Sequence, residues 1–422
     1  MNAAYLKRLQ EACPCGREHY ITLRDIVIES GALYRLNDVI NKHGFTGNGY
    51  VICDENTYRE AGSLVCQVVN TSNKVVLKAE NLHANEAAVE EVIEKTQDAD
   101  YYIAVGTGTI HDITRYVAHQ KNLQFISVPT GASVDGFVST LAAMTLNGMK
   151  ITLPAHAPLV MVADLDIIAA APYRLTCAGV GDILGKYIAL ADWKIAHIVT
   201  GEYFCQKVYD LEASVVADVV SLLDDLKAGK KEAYAKLMEA LVVSGLAMQM
   251  TQNSRPASGV EHHISHLWEL HVLGNEYDAL HGEKVGIATA MADRVYKKFL
   301  KVEDLSAYMK PYHGIDPEAI RPVFGKITDY VIKENHPDSL LGVDPNSLVK
   351  HFSEVKDVIR ALPEPEEIIG MLRRLGANAE PFEIQIDEEM VKSTLKYCVF
   401  ARNRLSFYRM TKLMDTDRLG LY

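Results

Sequence analysis

The residues with the clearest potential for chemistry are histidines concentrated in one short stretch. Five of the fifteen histidines lie between His262 and His281, in Arg255-Pro-Ala-Ser-Gly-Val-Glu-His-His-Ile-Ser-His and the later His281-Gly-Glu-Lys-Val. His262 and His266 are four residues apart, so on a helix their imidazoles project from the same face. Two histidines brought together, with His281 after a long turn, are the start of a divalent metal site that needs a carboxylate and an open position.

The best candidate for the missing carboxylate is Asp182, which follows Ala178-Gly-Val-Gly among apolar neighbours. The pattern predicts a helix with Asp182 in its first turn, where a capping role is the alternative. A set of Asp182, His262 and His281 would leave a position for a substrate oxygen. His266 would then hydrogen-bond the substrate or relay a proton.

Two successive strands are predicted to end in loops that suit a phosphate or a polar ligand. The strand Tyr101–Val105 leads into Gly106-Thr-Gly-Thr and a helix over 110–120, and the strand 123–128 leads into Pro129-Thr-Gly-Ala-Ser-Val-Asp-Gly-Phe-Val-Ser. Glycines at a strand-to-helix turn let backbone N–H groups approach an anion, although a tight turn without a ligand is the alternative. Asp135, in the second loop, is a turn former or an acceptor from a substrate hydroxyl.

An earlier acid, Asp54, follows the predicted buried strand Tyr50–Cys53. An acid at this position often accepts hydrogen bonds from the ribose of a dinucleotide. A helix N-cap is an equally good interpretation of the residues. Beside a dinucleotide, a metal ion held by Asp182, His262 and His281 would polarise a carbonyl, or the corresponding alcohol, during hydride transfer.

The chain as a whole predicts a two-domain enzyme. Its 422 residues argue for more than one core. Its formal net charge of −12 argues against a nucleic-acid partner, and its seven cysteines argue against a disulfide framework. Strand-like and helical segments alternate up to about residue 169 and helices follow, so we expect an α/β nucleotide-binding domain over 1–172 and an all-α domain over 173–422. No signal peptide or membrane-length apolar run is visible, which predicts a cytoplasmic protein without membrane insertion. Cys13, Cys15 and His19 lack a matching second half nearby, so surface or packing roles are favoured over zinc binding.

Five motifs in this order resemble those of a known family. They are Gly-Thr-Gly-Thr-Ile-His-Asp, Pro-Thr-Gly-Ala-Ser-Val-Asp-Gly-Phe-Val-Ser, Gly-Asp-Ile-Leu-Gly-Lys, Ser-Arg-Pro-Ala-Ser-Gly-Val-Glu-His-His-Ile-Ser-His and His-Gly-Glu-Lys-Val-Gly, within residues 106–286. The chain resembles the sn-glycerol-1-phosphate dehydrogenases, specifically their bacterial branch. That family belongs to the group of dehydroquinate synthases, glycerol dehydrogenases and iron-containing alcohol dehydrogenases, so a dehydroquinate synthase-like fold with a Rossmann-like first domain is implied.

The resemblance implies a role for each matching residue. Asp182, His262 and His281 would bind one Zn²⁺ or Ni²⁺; Asp135, Asp182 and His266 would contact substrate, with Asp182 and His266 catalytic. NAD(H), or NADP(H), would contact Asp54, Gly106, Thr107, Gly108, Thr109, Ile110, His111, Asp112, Thr130, Gly131, Ala132, Ser133 and Ser139. Thr107 departs from the family's Gly-Gly-Gly turn. His262 is chosen over His263 because Glu-His followed by Ser-His is the family pattern, and His263 and His271 are expected to be packing or surface residues.

The implied reaction is the reversible reduction of dihydroxyacetone phosphate to sn-glycerol 1-phosphate, which supplies a glycerophosphate backbone for lipids. The family also suggests a homodimer. The alternatives are a glycerol or other polyol dehydrogenase of the same fold, or a catalytically silent dinucleotide-binding protein. Arg255 and Lys186 are candidates to counter the substrate phosphate, and packing or surface ion pairs are their alternative roles. The acid at Asp54 favours NAD(H), because it repels a 2′-phosphate.

Overall fold

The computed structural model describes residues 3–146, 149–270 and 278–421, and the chain divides into two compact units. The first unit is Met1–Ile183 with Ala217–Asn253, and the second is Leu184–Val216 with Ser254–Tyr422. The first unit thus includes residues 217–253, which the sequence-based division assigns to the helical domain. The division at 172/173 stays a prediction.

The first unit is built on a parallel sheet. Its eight strands are β1 Asp25–Glu29, β2 Gly49–Asp54, β3 Lys74–Leu77, β4 Tyr101–Gly106, β5 Gln124–Pro129, β6 Leu141–Leu146, β7 Met149–Pro154 and β8 Val160–Asp164. Six of them form one sheet in the order β1-β8-β5-β4-β2-β3, with every neighbouring pair parallel. Because β2, β4 and β5 are neighbours and run in the same direction, their carboxyl ends meet at one edge.

Alternating residues of the central strands enter two separate apolar cores, one on each face of the sheet. Val51 and Ile103 belong to one core, whereas Ile52, Tyr102 and Ala104 belong to the other. Strands buried on both faces are typical of a parallel sheet covered by helices on its two sides. The α/β architecture expected for the N-terminal part of the chain is therefore confirmed.

Helices make up most of the remaining regular structure. The α-helices are α1 Ala3–Leu9, α2 Leu36–Lys42, α3 Glu55–Thr57, α4 Ser63–Val68, α5 Glu86–Lys95, α6 Gly108–Lys121, α7 Leu165–Ala170, α8 Tyr173–Leu184, α9 Lys186–Thr200, α10 Gln206–Ser221, α11 Leu223–Lys227, α12 Lys231–Thr251, α13 Val260–Glu269, α14 His281–Lys298, α15 Pro317–Phe324, α16 Thr328–Glu334, α17 Pro345–Lys350, α18 Phe352–Arg360, α19 Pro365–Leu375, α20 Glu388–Tyr397 and α21 Phe407–Met410. A π-helical segment, Tyr58–Gly62, and 3₁₀ segments, Ala32–Arg35, Asp135–Val138, Phe299–Lys301, Leu305–Tyr308, Gly325–Ile327, Pro381–Ile384, Cys398–Phe400 and Thr411–Leu413, complete the set.

The second unit is helical in its described residues and contains a large apolar cluster. Ile188 of α9, Ile264 of α13, Ile287 of α14 and Val355 of α18 all lie within it. No strand follows β8 in the described part of the chain, as the sequence predicts. Within the described ranges, no helix is both long enough and apolar enough to cross a membrane.

One element of the first unit was not predicted. Strands β6 and β7 pair antiparallel, from Leu141 opposite Pro154 to Leu146 opposite Met149. They form a separate two-stranded sheet. Its first strand begins directly after the loop that contains Asp135 and Ser139, so the pairing fixes one end of that loop.

Candidate active site

Helix α13 of the second unit, which carries His262 and His266, is anchored at its first residues by two buried carboxylates. Asp192 accepts a hydrogen bond from the backbone N–H of Val260 at 2.9 Å, and Glu261 accepts one from that of Gly259 at 2.7 Å. A Cβ atom on Gly259 would lie 2.7 Å from Asp192 Oδ2 and 2.9 Å from the Cα of Ala189, so only glycine fits there. Burial raises the pKa of Asp192 to about 7.

The structure brings three of the predicted histidines together within this unit. The ring centroids of His262 and His281 are 5.2 Å apart, those of His262 and His266 are 6.0 Å apart, and those of His266 and His281 are 5.8 Å apart. His281 is the first residue of α14, so its side chain starts at a helix N-terminus. The three rings therefore lie close together, and their role in metal binding stays a prediction.

His262 and His281 share a hydrogen-bond pattern that is characteristic of metal-binding histidines. The Nδ1 of His262 lies 2.6 Å from Glu261 Oε1, and the Nδ1 of His281 lies 2.8 Å from Glu269 Oε1. An ionised carboxylate only accepts hydrogen bonds, so each Nδ1 carries the proton and each neutral ring keeps its lone pair on Nε2. Histidines that bind a metal through Nε2 are oriented by carboxylates in this way.

His266 has the opposite arrangement. Arg402 Nε donates a hydrogen bond to His266 Nδ1 at 3.2 Å. Because a guanidinium only donates, Nδ1 of His266 is the acceptor and its neutral ring carries the proton on Nε2. This tautomer makes Nε2 a hydrogen-bond donor, which suits an oxygen of a substrate better than it suits a metal ion.

Glu269 forms a second group of possible metal ligands with His266 and His281. One ligand atom each of His266, Glu269 and His281 lie within 4.8 Å of one another. Glu269 Oε1, however, already accepts from His281 at 2.8 Å and lies 3.4 Å from Lys284 Nζ. We therefore assign Glu269 to orienting His281.

The function of Glu269 gives a direct prediction. Replacing Glu269 by glutamine keeps its size but lets the amide N–H₂ face His281 Nδ1, which removes the strong acceptor. We expect the affinity for the divalent ion to fall by roughly 10–100-fold, as for other partners of metal-binding histidines. Competition with a coloured chelator measures it, and Glu354→Gln, on the exposed pair with His351, is the control. An unchanged affinity would contradict the assignment.

A group of arginines surrounds the His266 side of the centre. Burial lowers the pKa of Arg402, and it lowers that of Arg404 to about 9, where Arg255 and Arg402 act in the same direction. Arg404 donates to Ser254 Oγ at 2.5 Å and to the carbonyl oxygen of Ser258, so it holds the segment before α13. Arg402 therefore brings a positive charge beside His266, although the chain is acidic overall.

The two basic residues selected from the sequence are engaged elsewhere in the second unit. Arg255 makes a two-pronged ion pair with Glu202, with Nε 2.6 Å from Oε1, and donates to the carbonyl oxygen of Leu405 at 2.6 Å. Lys186 is fully buried and donates to the carbonyl oxygen of Ala257 at 3.0 Å. These contacts correspond to the packing roles given as the alternative for Arg255 and Lys186. Arg402 was not predicted from the sequence, because it lies 136 residues from His266.

His263 and His271 complete the histidine set. His263 is fully buried, and neither of its ring nitrogens has a hydrogen-bond partner among the described residues. Its burial, with Arg404, Arg409 and Arg402 nearby, holds its pKa well below the usual range. This is the packing role expected from the sequence. His271 lies outside the described residues.

In the first unit, the loop after β4 has the geometry expected of a phosphate-binding turn. Gly106 ends the strand, Thr107 is the N-cap with extended backbone, and helix α6 starts at Gly108. A Cβ on Gly106 would lie 2.7 Å from Ile110 Cβ, so the close strand-to-helix packing requires glycine. The helix N-terminus thus faces the carboxyl edge of the sheet with backbone N–H groups suited to an anion.

The side chains of the same turn have internal partners. His111 Nδ1 lies 2.9 Å from the carbonyl oxygen of Thr107 and its Nε2 lies 2.7 Å from Ser127 Oγ. Burial lowers the pKa of His111 to about 3. Asp112 Oδ1 pairs with Arg115 Nη1 at 3.1 Å. A cofactor contact by His111 or Asp112 would therefore come from the backbone. Thr109 and Ile110 lie in the first helical turn.

The loop after β5 is held beside this turn. The N–H of Thr130 donates to the carbonyl oxygen of Gly106 at 3.0 Å, and the N–H of Ser133 donates to that of Gly131 at 3.1 Å. Gly131, Ala132 and Ser139 belong to the same loop, and Ser139 Oγ accepts from the N–H of Leu141 at 3.0 Å. The buried guanidinium of Arg115 donates to the carbonyl oxygens of Gly136, Phe137 and Leu141 and fixes the loop's second half.

Two candidate acids of the first unit, Asp135 and Asp182, are in contact. The N–H of Asp135 donates to Asp182 Oδ2 at 3.0 Å, and Asp135 Oδ2 accepts from Ser244 Oγ at 2.9 Å. Asp182 is fully buried. Its predicted place in the first turn of a helix is wrong, because α8 begins at Tyr173 and Asp182 lies near its C-terminal end. A capping role for Asp182 is excluded by the same observation.

The reason for this error is the glycine at position 179. A glycine inside a helix costs roughly 1 kcal/mol relative to alanine, so the pair Gly179 and Gly181 suggested a break before Asp182. A Cβ on Gly179, however, would lie 2.1 Å from the carbonyl oxygen of Ala132. The helix continues through the glycines because α8 packs against the loop after β5 at this point.

Asp54 adopts one of its two predicted roles in the structure. Its Oδ1 accepts from the N–H groups of Asn56 at 2.8 Å and Thr57 at 2.9 Å, and Thr57 Oγ1 accepts from the N–H of Asp54. This is a capping box at the start of α3. A contact with a ribose is compatible with the cap and stays a proposal.

Comparison with known proteins places the fold in a class. Residues 27–172 match the family model of the iron-containing alcohol dehydrogenases. A probable glycerol dehydrogenase from Sinorhizobium meliloti 1021 has 16% sequence identity and a TM-score of 0.62, with 94% of each chain covered. An archaeal halo-thermophilic Red Sea brine pool alcohol dehydrogenase has 14% identity and a TM-score of 0.61, covering 96% of this chain and 97% of that chain. The fold is that of the glycerol and iron-containing alcohol dehydrogenases.

Relatives with higher identity define the family within that class. Glycerol-1-phosphate dehydrogenase (NAD(P)+) of Bacillus licheniformis is 33% identical over 412 residues, which cover 95% of this chain and 92% of the relative. The enzyme of the same name from Pyrococcus horikoshii is 35% identical over 306 residues, covering 70% and 87%. The chain belongs to the glycerol-1-phosphate dehydrogenase family.

Proposed function

We propose that this protein reduces dihydroxyacetone phosphate reversibly to sn-glycerol 1-phosphate with NADH or NADPH, using one divalent ion held by Asp182, His262 and His281. The observation that carries the proposal is the difference between the histidines. Carboxylates orient His262 and His281 toward metal binding through Nε2, whereas Arg402 makes His266 a donor. The names of the relatives, which include NAD(P)+ and glycerol 1-phosphate, support the reaction.

The donor types fit a divalent ion of the Zn²⁺ or Ni²⁺ kind. Two imidazoles and one carboxylate are ordinary ligands for these metals, and three protein ligands leave a position for a substrate oxygen. When bound, such an ion would supply a Lewis acid that polarises the carbonyl group of the substrate. The product would provide a glycerophosphate backbone for lipids.

The chain's own residues would position the substrate. The Nε2–H of His266 would donate to a substrate oxygen, and its ring is held for this by the hydrogen bond from Arg402. Asp135 and Asp182, which are already in contact, would accept hydrogen bonds from the substrate hydroxyl. These roles follow the family motifs and the hydrogen-bonding capacity of each group.

Arg402 is proposed to recognise the phosphate. Dihydroxyacetone phosphate is a three-carbon compound, so its phosphate lies close to the oxygen that His266 would contact. Arg402 lies beside His266 and near Arg404, in a partly buried environment where a cation interacts strongly with an anion. Guanidinium groups bind phosphate with paired, charge-assisted hydrogen bonds.

The dinucleotide would bind at the carboxyl ends of β2, β4 and β5. There the N-terminus of α6, the loop 130–133 and Ser139 offer backbone N–H groups and small hydroxyl side chains. Asp54, at the end of β2, would contact the adenosine ribose and favour NAD(H) over NADP(H).

The cofactor preference can be tested without disturbing the cap of α3. Replacing Asp54 by serine keeps a side-chain oxygen for the cap but removes the charge that would repel a 2′-phosphate. We expect the ratio of kcat/KM with NADPH to that with NADH to rise about tenfold, which corresponds to roughly 1.4 kcal/mol. Glu55→Ser, one residue along, is the control. An unchanged ratio would place the ribose elsewhere.

The reaction itself is tested by comparing two substrates. Absorbance of NADH is followed with dihydroxyacetone phosphate and with unphosphorylated dihydroxyacetone. The proposal predicts a strong preference for the phosphorylated compound; a preference for dihydroxyacetone would favour a glycerol or polyol dehydrogenase. The absence of any absorbance change with Zn²⁺ or Ni²⁺ would favour the catalytically silent dinucleotide-binding protein.

We also propose a cytoplasmic homodimer, for which light scattering of the purified protein tests the subunit number.

A further inference from the structure

We propose a second metal site, for a structural zinc ion, at Cys13, Cys15 and His19 in the first unit. One ligand atom from each of these residues lies within 4.8 Å of the other two. The Sγ of Cys15 lies 3.6 Å from the Nε2 of His19. None of the three belongs to the candidate active site, and the proposal is independent of the reaction that the enzyme catalyses.

The local backbone explains how two closely spaced thiols can share one ion. Cys13-Pro14-Cys15-Gly16 forms a turn in which the N–H of Gly16 donates to the carbonyl oxygen of Cys13 at 3.2 Å. Gly16 has a φ of 77°, a left-handed conformation that glycine adopts without steric cost. The turn folds the chain back, so that Cys13 and Cys15 can both serve as ligands although only one residue separates them.

His19 has the hydrogen-bond pattern of a metal-binding histidine. Its side chain is 3% exposed, and its Nδ1 lies 2.9 Å from the carbonyl oxygen of Met250. A carbonyl oxygen only accepts, so Nδ1 carries the proton and the lone pair of the neutral ring is on Nε2. Nε2 is the nitrogen beside Cys15, and a carbonyl on the other nitrogen is a common way to orient a zinc-binding histidine.

The types of the ligands identify the ion. Thiolate and imidazole groups bind Zn²⁺ with tetrahedral geometry, whereas Mg²⁺ and Ca²⁺ prefer oxygen. Structural zinc sites are closed by four protein ligands. We therefore assign the fourth position to a further thiolate from Cys177, Cys205 or Cys398, because Cys53 and Cys66 pack together in the apolar core beside β2.

The site would fix the N-terminal segment to the end of helix α12. Residues 12–24 contain no helix or strand, so the backbone hydrogen bonds of regular structure do not hold them. His19 contacts Met250, and the N–H of Thr22 donates to Gln249 Oε1 at 2.9 Å. Gln249 Nε2 in turn donates to the carbonyl oxygen of Val138. A zinc ion would thus stabilise the end of α12 against the loop that contains Asp135.

Cobalt substitution of the full-length protein tests the proposal, because Co²⁺ bound to sulfur gives thiolate-to-metal charge-transfer absorption. The active-site set of Asp182, His262 and His281 contains no sulfur, so this signal reports the second site alone. We expect the band in the wild-type chain, its loss in Cys13→Ser/Cys15→Ser, and its retention in the control Cys66→Ser. The double variant should bind one ion fewer per chain by elemental analysis. One single serine variant among the candidates for the fourth position should weaken the band by about a third, as one of three thiolates is removed.

Several results would overturn the assignment. A cobalt-loaded wild-type chain without the sulfur band would do so even if the double variant failed to fold. A band that persists in the double variant, or a Cys13–Cys15 disulfide found by counting thiols in the denatured native protein, would do so as well. If none of the serine variants at Cys177, Cys205 and Cys398 changed the band, the closed four-ligand site would be wrong. Loss of activity with an intact sulfur band would bear on the proposed function instead.

Discussion

Replacing His262 by alanine is expected to remove the active-site metal ion and to lower turnover by at least about a thousandfold. His262 is 6% exposed and its ring is oriented by Glu261, so no neighbouring side chain can take its place without rearrangement. Lewis-acid polarisation of a carbonyl contributes several kcal/mol to transition-state stabilisation, and about 4 kcal/mol corresponds to a factor of roughly 10³. Elemental analysis and NADH oxidation on one preparation measure both effects.

Two further variants test whether loss of the ion is specific to His262. His266→Ala should lose turnover but keep the ion, because the Nδ1 of His266 accepts from Arg402 and its Nε2–H is a donor. His351→Ala, in an exposed pair with Glu354, should change neither quantity. Full activity of His262→Ala without bound metal would show that the histidine pair does not hold a catalytic ion.

Replacing Arg402 by glutamine is expected to lower kcat/KM for dihydroxyacetone phosphate by roughly ten- to a hundredfold. A hydrogen bond to a charged group contributes about 1.5–3 kcal/mol, and Arg402 is partly shielded from water. The rate with unphosphorylated dihydroxyacetone should stay within a factor of about three, because glutamine still offers an N–H donor to His266 Nδ1 and that compound has no phosphate. Steady-state kinetics with both substrates measure the difference.

The same experiment separates phosphate recognition from an indirect role. If Arg402 acted only by orienting His266, the two substrates would lose rate equally, and the phosphate assignment would be wrong. Arg418→Gln, on the carbonyl oxygen of Ala307, provides an exposed arginine control. Arg402→Lys should recover only part of the affinity, since lysine lacks the paired N–H groups of a guanidinium.

Local patterns were sufficient to predict the central part of the fold. The β-branched runs before Asp54, Gly106 and Pro129 predicted β2, β4 and β5, because strands buried on both faces are continuously apolar. The hairpin of β6 and β7 was missed, although Asn147-Gly148, the dipeptide between the two strands, is a strong sequence signal for a two-residue hairpin connection. The start of α8 was also missed, because only the packing of Gly179 against Ala132 explains glycines within a helix.

The candidate site was predictable where its residues are close in sequence. The spacing of His262 and His266 brought two rings to one face, and Glu261 is adjacent to one of them. Glu269 could have been found, since it follows His266 by one helical turn. Arg402 gave no signal, because its contact with His266 joins residues 136 apart. The ion pair of Arg255 with Glu202, 53 residues away, was equally invisible to local patterns.

The most direct test of the central claim is the dependence of NADH oxidation on metal and on dihydroxyacetone phosphate. The purified protein is stripped with a chelator, and absorbance is followed before and after Zn²⁺ or Ni²⁺ is restored. We expect no oxidation without the ion and its return with the ion, together with formation of sn-glycerol 1-phosphate. An oxidation rate that is unaffected by removal of all divalent metal would contradict a metal-dependent glycerol-1-phosphate dehydrogenase.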